Sequence, residues 1–497
     1  MSEIPGFSSE GLKFVDVSAD NGTKKVTTIE IAGHSDWRVE VPFHTILKLN
    51  VTRGIVEIFG TELPVNVELQ FSGAKICLYT PDDEGCEIQY STTVKSSSNN
   101  KDDNEISEYI SDETTMNQTI NLHFALESYR QQAVEYNAQN TWDQKKGPRV
   151  LVVGSAHSGK TSLIKTLASY SLKMDGCPIL VNLNPQEGVF SLPGSLTATP
   201  ISDSFDVEST NGWGNTTTSG STFHNPKQPI VKNYGFENFN ENIELYKYQI
   251  SKLGVAVMSR LEEDINVKNS GLLVDTPPLS MKDITVIENI VSDYEINFIV
   301  VIGNERLLID LKKKFKHKTQ TGALNVIKIA KSGGVVEIDD SFMRNSQQQA
   351  IREYFYGTLK SPLSPYNTVI DVKDVVLFKS VDNVESNSNF AFLPSGDSFT
   401  PEDSDMTEAD KRDDFSLERY YSPITNPTAS DLNNTILAIT QLQQNDKSGK
   451  NLLNTCVMGY AYVSDVDDTK GKMRILLPVP GALPRNILIV TGIRYME

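Results

Sequence analysis

The spacing of apolar positions changes twice along the chain and divides it into three parts. Up to about residue 95, short alternating runs recur: Trp37-Arg38-Val39-Glu40-Val41, Ile46-Leu47-Lys48-Leu49, Gly54 to Phe59, and Lys75 to Tyr79. Gly, Asn, Asp and Pro punctuate them. Alternation with period two puts every second side chain on one face, so a small sandwich or barrel is predicted. Residues 96–118, opening with Ser96-Ser97-Ser98-Asn99-Asn100, have little to bury and read as a polar linker or insert. A helix is expected near 120–138, carrying Leu122, Phe124, Leu126 and Tyr129.

In the middle, strand and helix patterns alternate. Strands are predicted at 149–153, 179–183, 272–275, 298–302 and 325–330, and helices at 160–173, 244–263, 281–294 and 305–315. The third and fourth strands are almost continuously apolar, as strands covered on both faces must be. In the longest helix Tyr246, Ile250, Leu253, Val257 and Leu261 fall on one stripe. Such alternation predicts a mainly parallel sheet with helices on both faces. Residues 205–225 read as a long loop, and 383–430 as a second polar insert. Strand patterns return at Met473–Leu477 and Asn486–Val490. The expected fold is therefore α/β: an N-terminal all-β domain (1–118), a central P-loop NTPase domain with a mainly parallel sheet (119–340), and a smaller, strand-containing C-terminal domain (341–497).

Composition narrows the function classes. The 497 residues carry 46 basic and 64 acidic side chains, a net charge of −18. An acidic chain is a poor general coat for nucleic acid, whose phosphates need clustered Lys and Arg; it suits protein partners. Cys77, Cys86, Cys177 and Cys456 include no CxxC pair, so no zinc site is expected, and the thiols read as free in a reducing compartment. The first residues lack the basic and apolar regions of a signal peptide, and no apolar run is long enough to span a membrane. An intracellular protein is expected.

The chemistry concentrates at Gly154-Ser155-Ala156-His157-Ser158-Gly159-Lys160-Thr161, between the strand 149–153 and the helix 160–173. This is G-x-x-x-x-G-K-[ST], a P-loop. Its glycines let backbone N–H groups turn toward phosphates, its lysine reaches the β- and γ-phosphates, and its Thr161 hydroxyl can ligate Mg²⁺. The helix N-terminus adds a favourable dipole. ATP binding is expected through Gly154, His157, Ser158, Gly159, Lys160, Thr161 and Ser162, with His157 read as a tolerated loop residue rather than an acid or base. Asp275 ends the apolar run Gly271–Val274, where it can hold the Mg²⁺ shell with Thr161 or merely cap a turn before Pro277. After the second strand the chain offers Asn182 and Asn184, whose amides cannot take a proton. Glu187 is a carboxylate but three residues farther on, where it is expected to miss the reacting atoms. The run Lys312–Lys318 reads as a solvated helix end more readily than as an RNA contact. Arg344 and Arg352 read equally as a phosphate lid or as surface charge.

Longer strings then carry a resemblance. They include Gly54-Ile55-Val56-Glu57-Ile58-Phe59-Gly60-Thr61-Glu62-Leu63, Phe190-Ser191-Leu192-Pro193-Gly194, Ile351-Arg352-Glu353-Tyr354-Phe355-Tyr356-Gly357 and Leu477-Pro478-Val479-Pro480-Gly481. They are similar to the family of Clp-type polynucleotide 5′-hydroxyl kinases, and especially to its branch of Clp subunits of fungal pre-mRNA cleavage factor IA. The resemblance runs from about residue 50 to 481, outside the polar inserts. It implies ATP and Mg²⁺ held between the first two domains, with Asp36 and Lys75 at the adenine end. It also implies a nuclear role in mRNA processing beside other cleavage factor IA subunits, notably the one that binds the RNA polymerase II tail, with RNA contact weak or indirect. Active kinases of the family carry Asp where this chain has Asn184, and a Thr-x-Gly-Trp-like segment where it has Thr276-Pro277-Pro278. The expectation is an ATP-holding scaffold with no catalytic residue assigned. An active 5′-hydroxyl RNA kinase is the alternative.

Overall fold

The computed structural model describes residues 26–94, 105–214, 229–358, 360–382, 417–446 and 449–496. The N-terminal part is a sandwich of a four-stranded and a five-stranded sheet. In its strand Thr45–Arg53 alternate residues are buried, so Leu47, Leu49 and Val51 meet Trp37, Val39 and Leu78 of the facing sheet in one core. The run Gly54–Phe59, expected as a full strand, pairs only at Glu57–Ile58.

Of the region expected as a linker, residues 96–104 lie outside the described residues, and the rest is structured. Ser107–Ser111 is an edge strand antiparallel to Asp36–Val41, and Trp37 donates its indole N–H to Glu108 Oε2 at 2.8 Å. An edge strand with one solvated face can be polar, which is why its composition reads as a linker. The following helix begins early, spanning Met116–Gln139; it buries Leu122 and Leu126 but leaves Phe124 and Tyr129 exposed.

The central sheet has seven strands, in the order Ile230–Asn233, Ser195–Pro200, Ile179–Asn182, Leu272–Asp275, Arg149–Gly154, Phe298–Ile302, Asn325–Ile329. The last five are parallel; the first two, which local pattern missed, add antiparallel at one edge. Arg149–Gly154 is central. From its end the chain passes through the helix Lys160–Lys173 to Ile179–Asn182, skipping over Leu272–Asp275. A crevice at the C-terminal ends of the strands, where connections diverge, is where α/β proteins hold ligands. The long helix spans Ile243–Glu263, with Asn242 accepting from Leu245 N at its start, and buries the stripe Tyr246, Ile250, Leu253, Val257 and Leu261.

The C-terminal part is a seven-stranded sheet reached through the helix Asp340–Tyr356, which Asp339 caps by accepting from Phe342 N. Of the insert expected at 383–430, residues 383–416 lie outside the described residues. The remainder is ordered: Tyr421–Pro423 pairs with Val376–Ser380, and the Tyr421 hydroxyl is buried as it donates to the Asn233 carbonyl at 3.1 Å. The same hydrophobic cluster contains Leu245 and Tyr246 of the central part and Tyr354, Phe355, Ile436, Tyr460 and Ile489 of the C-terminal part.

Candidate nucleotide site

The strand Arg149–Gly154 is buried on both faces and delivers the chain to the crevice, where the loop turns back into the helix Lys160–Lys173. The turn needs unusual backbone. Gly159 has φ +87° at the helix N-cap, and His157 takes φ +48°, costly for a residue with a Cβ. Ser158 Oγ donates to the Ser155 carbonyl at 2.9 Å. No side chain caps this helix and no acidic residue occupies its first turn. Its leading N–H groups are therefore left for an anion. Lys160 lies buried over the loop, donating to the Ser155 carbonyl at 2.9 Å, and burial lowers its pKa.

Behind the loop, Thr161 Oγ1 donates to Asp275 Oδ2 at 2.7 Å, while Thr276 N donates to Asp275 Oδ1 at 2.9 Å. A hydroxyl and a carboxylate this close are hard oxygen donors of the kind Mg²⁺ takes, alongside phosphate and water. Thr161 and Asp275 thus fit the metal; bound there, it would neutralise phosphate charge.

Glu187 corrects the sequence expectation. The turn Asn184-Pro185-Gln186-Glu187 closes with Glu187 N donating to the Asn184 carbonyl at 3.3 Å, and Asn182 Nδ2 holds the Glu187 carbonyl at 2.8 Å. The carboxylate is folded back toward Thr161 and Asp275. Burial first, then the Asp275 charge, push its pKa up to about 7, against the pull of Lys165 and Lys160. Asn184 Nδ2 points at Glu187 Oε1 (3.4 Å), and Asn184 Oδ1 accepts from Gln186 N at 3.3 Å.

A cavity of about 490 Å³ opens over the loop. His157, Ser158, Gly159, Lys160, Thr161 and Ser162 line one side, and Asp36, Arg38 and Lys75 of the sandwich line the other. Gly154 and Asp275 stand behind the lining. Asp36 pairs with Arg38 at 3.0 Å, and Arg38 also donates to the Glu113 carbonyl at 2.8 Å. Burial raises the Asp36 pKa, opposed by Arg38. Thr114 and Cys77 lie beside this carboxylate, yet its Oδ1 is buried without a hydrogen-bond partner, as is Arg38 Nε. A buried orphan acceptor is costly; a ligand amino group would satisfy it, so the residues fit an adenine there. The stretch 330–338 closes the roof. Ile338 N donates to His157 Nδ1 at 3.4 Å, and Lys75 Nζ donates to the Glu337 carbonyl at 3.3 Å. Arg344 and Arg352 are exposed and outside the lining. The basic run ends the helix Glu305–Lys314 in solvent, with Lys314 paired to Glu288 at 2.8 Å.

Sequence reasoning passed over Lys165 and Arg38. Lys165 sits one turn after Thr161 on the same helix face, a spacing that could have flagged it. It is buried, and that burial lowers its pKa to about 8.

Fold and site together define a P-loop nucleotide-binding protein with a β-sandwich in front and a strand-rich domain behind. Family models match all three parts: "N-terminal beta-sandwich domain of polyadenylation factor" at 30–133, "mRNA cleavage and polyadenylation factor CLP1 P-loop" at 154–357, and "Pre-mRNA cleavage complex II protein Clp1" at 363–497. The mRNA cleavage and polyadenylation factor CLP1 of Debaryomyces hansenii is 64% identical, covering 100% of both chains. That of Candida albicans is 48% identical over 99% of this chain and 100% of its own. Among solved structures, a wild-type Clp1p–Pcf11p complex is 33% identical with a TM-score of 0.78, covering 96% of this chain and 99% of that one. A second, which describes an extended Pcf11p–Clp1p interface and the structural basis for ATP loss in a point mutant, has the same identity and TM-score and covers 96% and 100%. The chain belongs to the mRNA cleavage and polyadenylation factor CLP1 family.

Proposed function

We propose that this chain is an ATP-binding scaffold subunit of the nuclear pre-mRNA 3′-end cleavage and polyadenylation machinery, holding ATP with Mg²⁺ and not turning it over efficiently. The carrying observation is the double wall of the cavity, with the P-loop on one side and Asp36, Arg38 and Lys75 of the sandwich on the other. A nucleotide held there touches two domains at once and fixes their relation. Gly159 and the free helix N-terminus receive phosphate, Lys160 supplies charge, Thr161 and Asp275 hold the metal, and Asp36 takes the adenine amino group. Ligand binding to the folded state alone adds about 2.7 kcal/mol at one hundred times its Kd. The relatives solved with Pcf11p support assembly with that kind of cleavage-factor subunit as the use of the fixed surface.

Asn184 supports the absence of turnover, because its amide stands where a base is needed and is occupied by Glu187 and Gln186. Glu187 favours the second reading, a 5′-hydroxyl RNA kinase. It is a carboxylate with a pKa near 7 beside the P-loop threonine, close to the ideal for a general base. One assay separates the two. Purified protein is denatured and its nucleotide identified, while intact protein is incubated with Mg-ATP and a 5′-hydroxyl RNA. The scaffold reading expects released ATP, unlabelled RNA, and loss of both nucleotide and subunit assembly in Lys160→Ala. Phosphorylated RNA, abolished by Glu187→Gln, would replace the scaffold with a kinase.

A further inference from the structure

Beside the main cavity lies a smaller one of about 200 Å³, and the two share Thr161, Ser162, Glu187, Lys75 and Phe59 in their walls. One wall of the smaller cavity is the irregular segment 205–214, the described part of the loop expected at 205–225, of which 215–225 lie outside the described residues. It carries almost no regular structure, yet it is tied to every part of the molecule. Phe205 and Trp213 meet edge-on at 5.1 Å and lie in one buried cluster with Leu163 and Leu167 of the P-loop helix. Val207 packs on the sandwich core. Glu208 accepts from Gln70 N of the sandwich at 2.8 Å and pairs with Lys360. Thr210 N donates to Glu353 Oε2 at 3.3 Å, and Ser346 Oγ to Asn211 Oδ1 at 3.2 Å, both from the helix Asp340–Tyr356.

The remaining tie comes from the P-loop helix itself. Lys165 Nζ donates to the Asn211 carbonyl and lies 4.7 Å from the Trp213 ring and 5.6 Å from that of Phe59. Its ammonium group is buried, and a carbonyl and two ring faces stand in for water. The charges of Glu187 and Asp275 also act on it, so segment and sandwich share its hold with these two carboxylates. Gly212 passes close, with φ +63° and room for a Cβ only 3.2 Å from Lys165 Nζ.

We propose that 205–214 is a strap that retains nucleotide in the P-loop site, and that Lys165 is the latch holding it shut. This rests on the nucleotide reading given above. The strap walls the smaller cavity, which adjoins the phosphate end of the site through Thr161, Ser162 and Glu187. It also links the release of nucleotide to the sandwich and to the helix Asp340–Tyr356, both of which must let go for it to lift.

Release of a fluorescent ATP analogue from the full chain, chased with excess ATP in stopped flow, tests the strap. Lys165→Met removes the latch. Glu353→Leu loosens the strap from its far side and touches no P-loop residue. Each is expected to speed release by about tenfold, the worth of one hydrogen bond involving a charged group, with association changed much less. If the wild-type chain binds the analogue but both variants release it at the wild-type rate, the strap falls and the nucleotide site stands. If only Lys165→Met releases faster, Lys165 acts on the nucleotide directly and the strap again falls. No binding by the wild-type chain overturns both.

Discussion

The central sheet joins the C-terminal sheet and the N-terminal sandwich in different ways. Toward the C-terminal sheet the joint is apolar: Tyr354, Phe355, Tyr460 and Ile489 belong to the same buried cluster as Leu245, Tyr246 and Leu253. Toward the sandwich the described joint is largely polar, its apolar contacts including Val207 against the sandwich core and the Phe43–Phe342 ring pair at 4.9 Å. Glu57 accepts from the Tyr170 hydroxyl and from Lys173 Nζ (3.0 Å), Thr61 meets Ser169 at 3.2 Å, and the sandwich keeps its own core. An apolar joint cannot open without exposing greasy surface to water. A polar joint can, because water replaces each bond it breaks. The sandwich is therefore the part whose position a ligand can decide.

The strongest way to break this comparison is Phe355→Ala. Phe355 is fully buried at the apolar joint, and removing its ring should cost about 3–5 kcal/mol. Calorimetry should show the central and C-terminal parts still melting together at a lower temperature. Separation into two transitions would mean that the shared core is not what unites them.

A smaller effect sharpens the other side. Glu57→Ala leaves the Tyr170 hydroxyl unpaired and should cost about 1–3 kcal/mol. That loss should appear in the transition of the sandwich, with the central and C-terminal transition unmoved. An equal shift in both would show that the polar joint is as cooperative as the apolar one.

The smallest effect lies where the strap meets the helix Asp340–Tyr356. Burial pushes the Glu353 pKa from 4.5 up to about 7, against the hydrogen bond from Thr210. The folded chain then holds this proton more tightly than the unfolded chain, so stability falls as pH rises from about 4.5 to about 7. Below that window Glu353 costs nothing; above it the cost is complete. Glu187 slopes in the same direction and is retained in the variant. Chemical denaturation across this pH range should give a flatter stability profile for Glu353→Gln than for the wild-type chain. Parallel profiles would place the carboxylate in water.

What could be read from sequence follows the range over which each feature is encoded. The P-loop is a strand, a turn and a helix in consecutive residues, and each piece states its own preference, so 149–173 was legible throughout. The parallel strands were legible for the same reason. Ser195–Pro200 and Ile230–Asn233 were not, because Thr197, Thr199 and Lys232 break the apolar run although all three are buried. Glu187 was discounted by counting residues along an extended chain, whereas Pro185 lies in a turn that folds it back. The strap was read only as a loop, because its partners are remote: Gln70 lies 138 residues from Glu208, and Glu353 lies 143 from Thr210. No local pattern announces contacts at that separation. Asp36 and Lys75 came from resemblance alone, since as isolated charges on a β-domain they look like ordinary surface.

The shared core also dictates a timetable. As the chain leaves the ribosome the sandwich comes first and can complete nearly all of its own core by the strand Ser107–Ser111, with Val207 packing on it from later in the chain. The central domain cannot finish when its last strand, Asn325–Ile329, emerges, because the buried cluster that holds Leu245 and Tyr246 also holds Ile436, Tyr460 and Ile489. At typical rates of synthesis that wait is on the order of ten seconds. Throughout it the nucleotide loop can already exist while the far face of its sheet is bare. For this chain the nascent central domain is the stage at which a chaperone has most to cover.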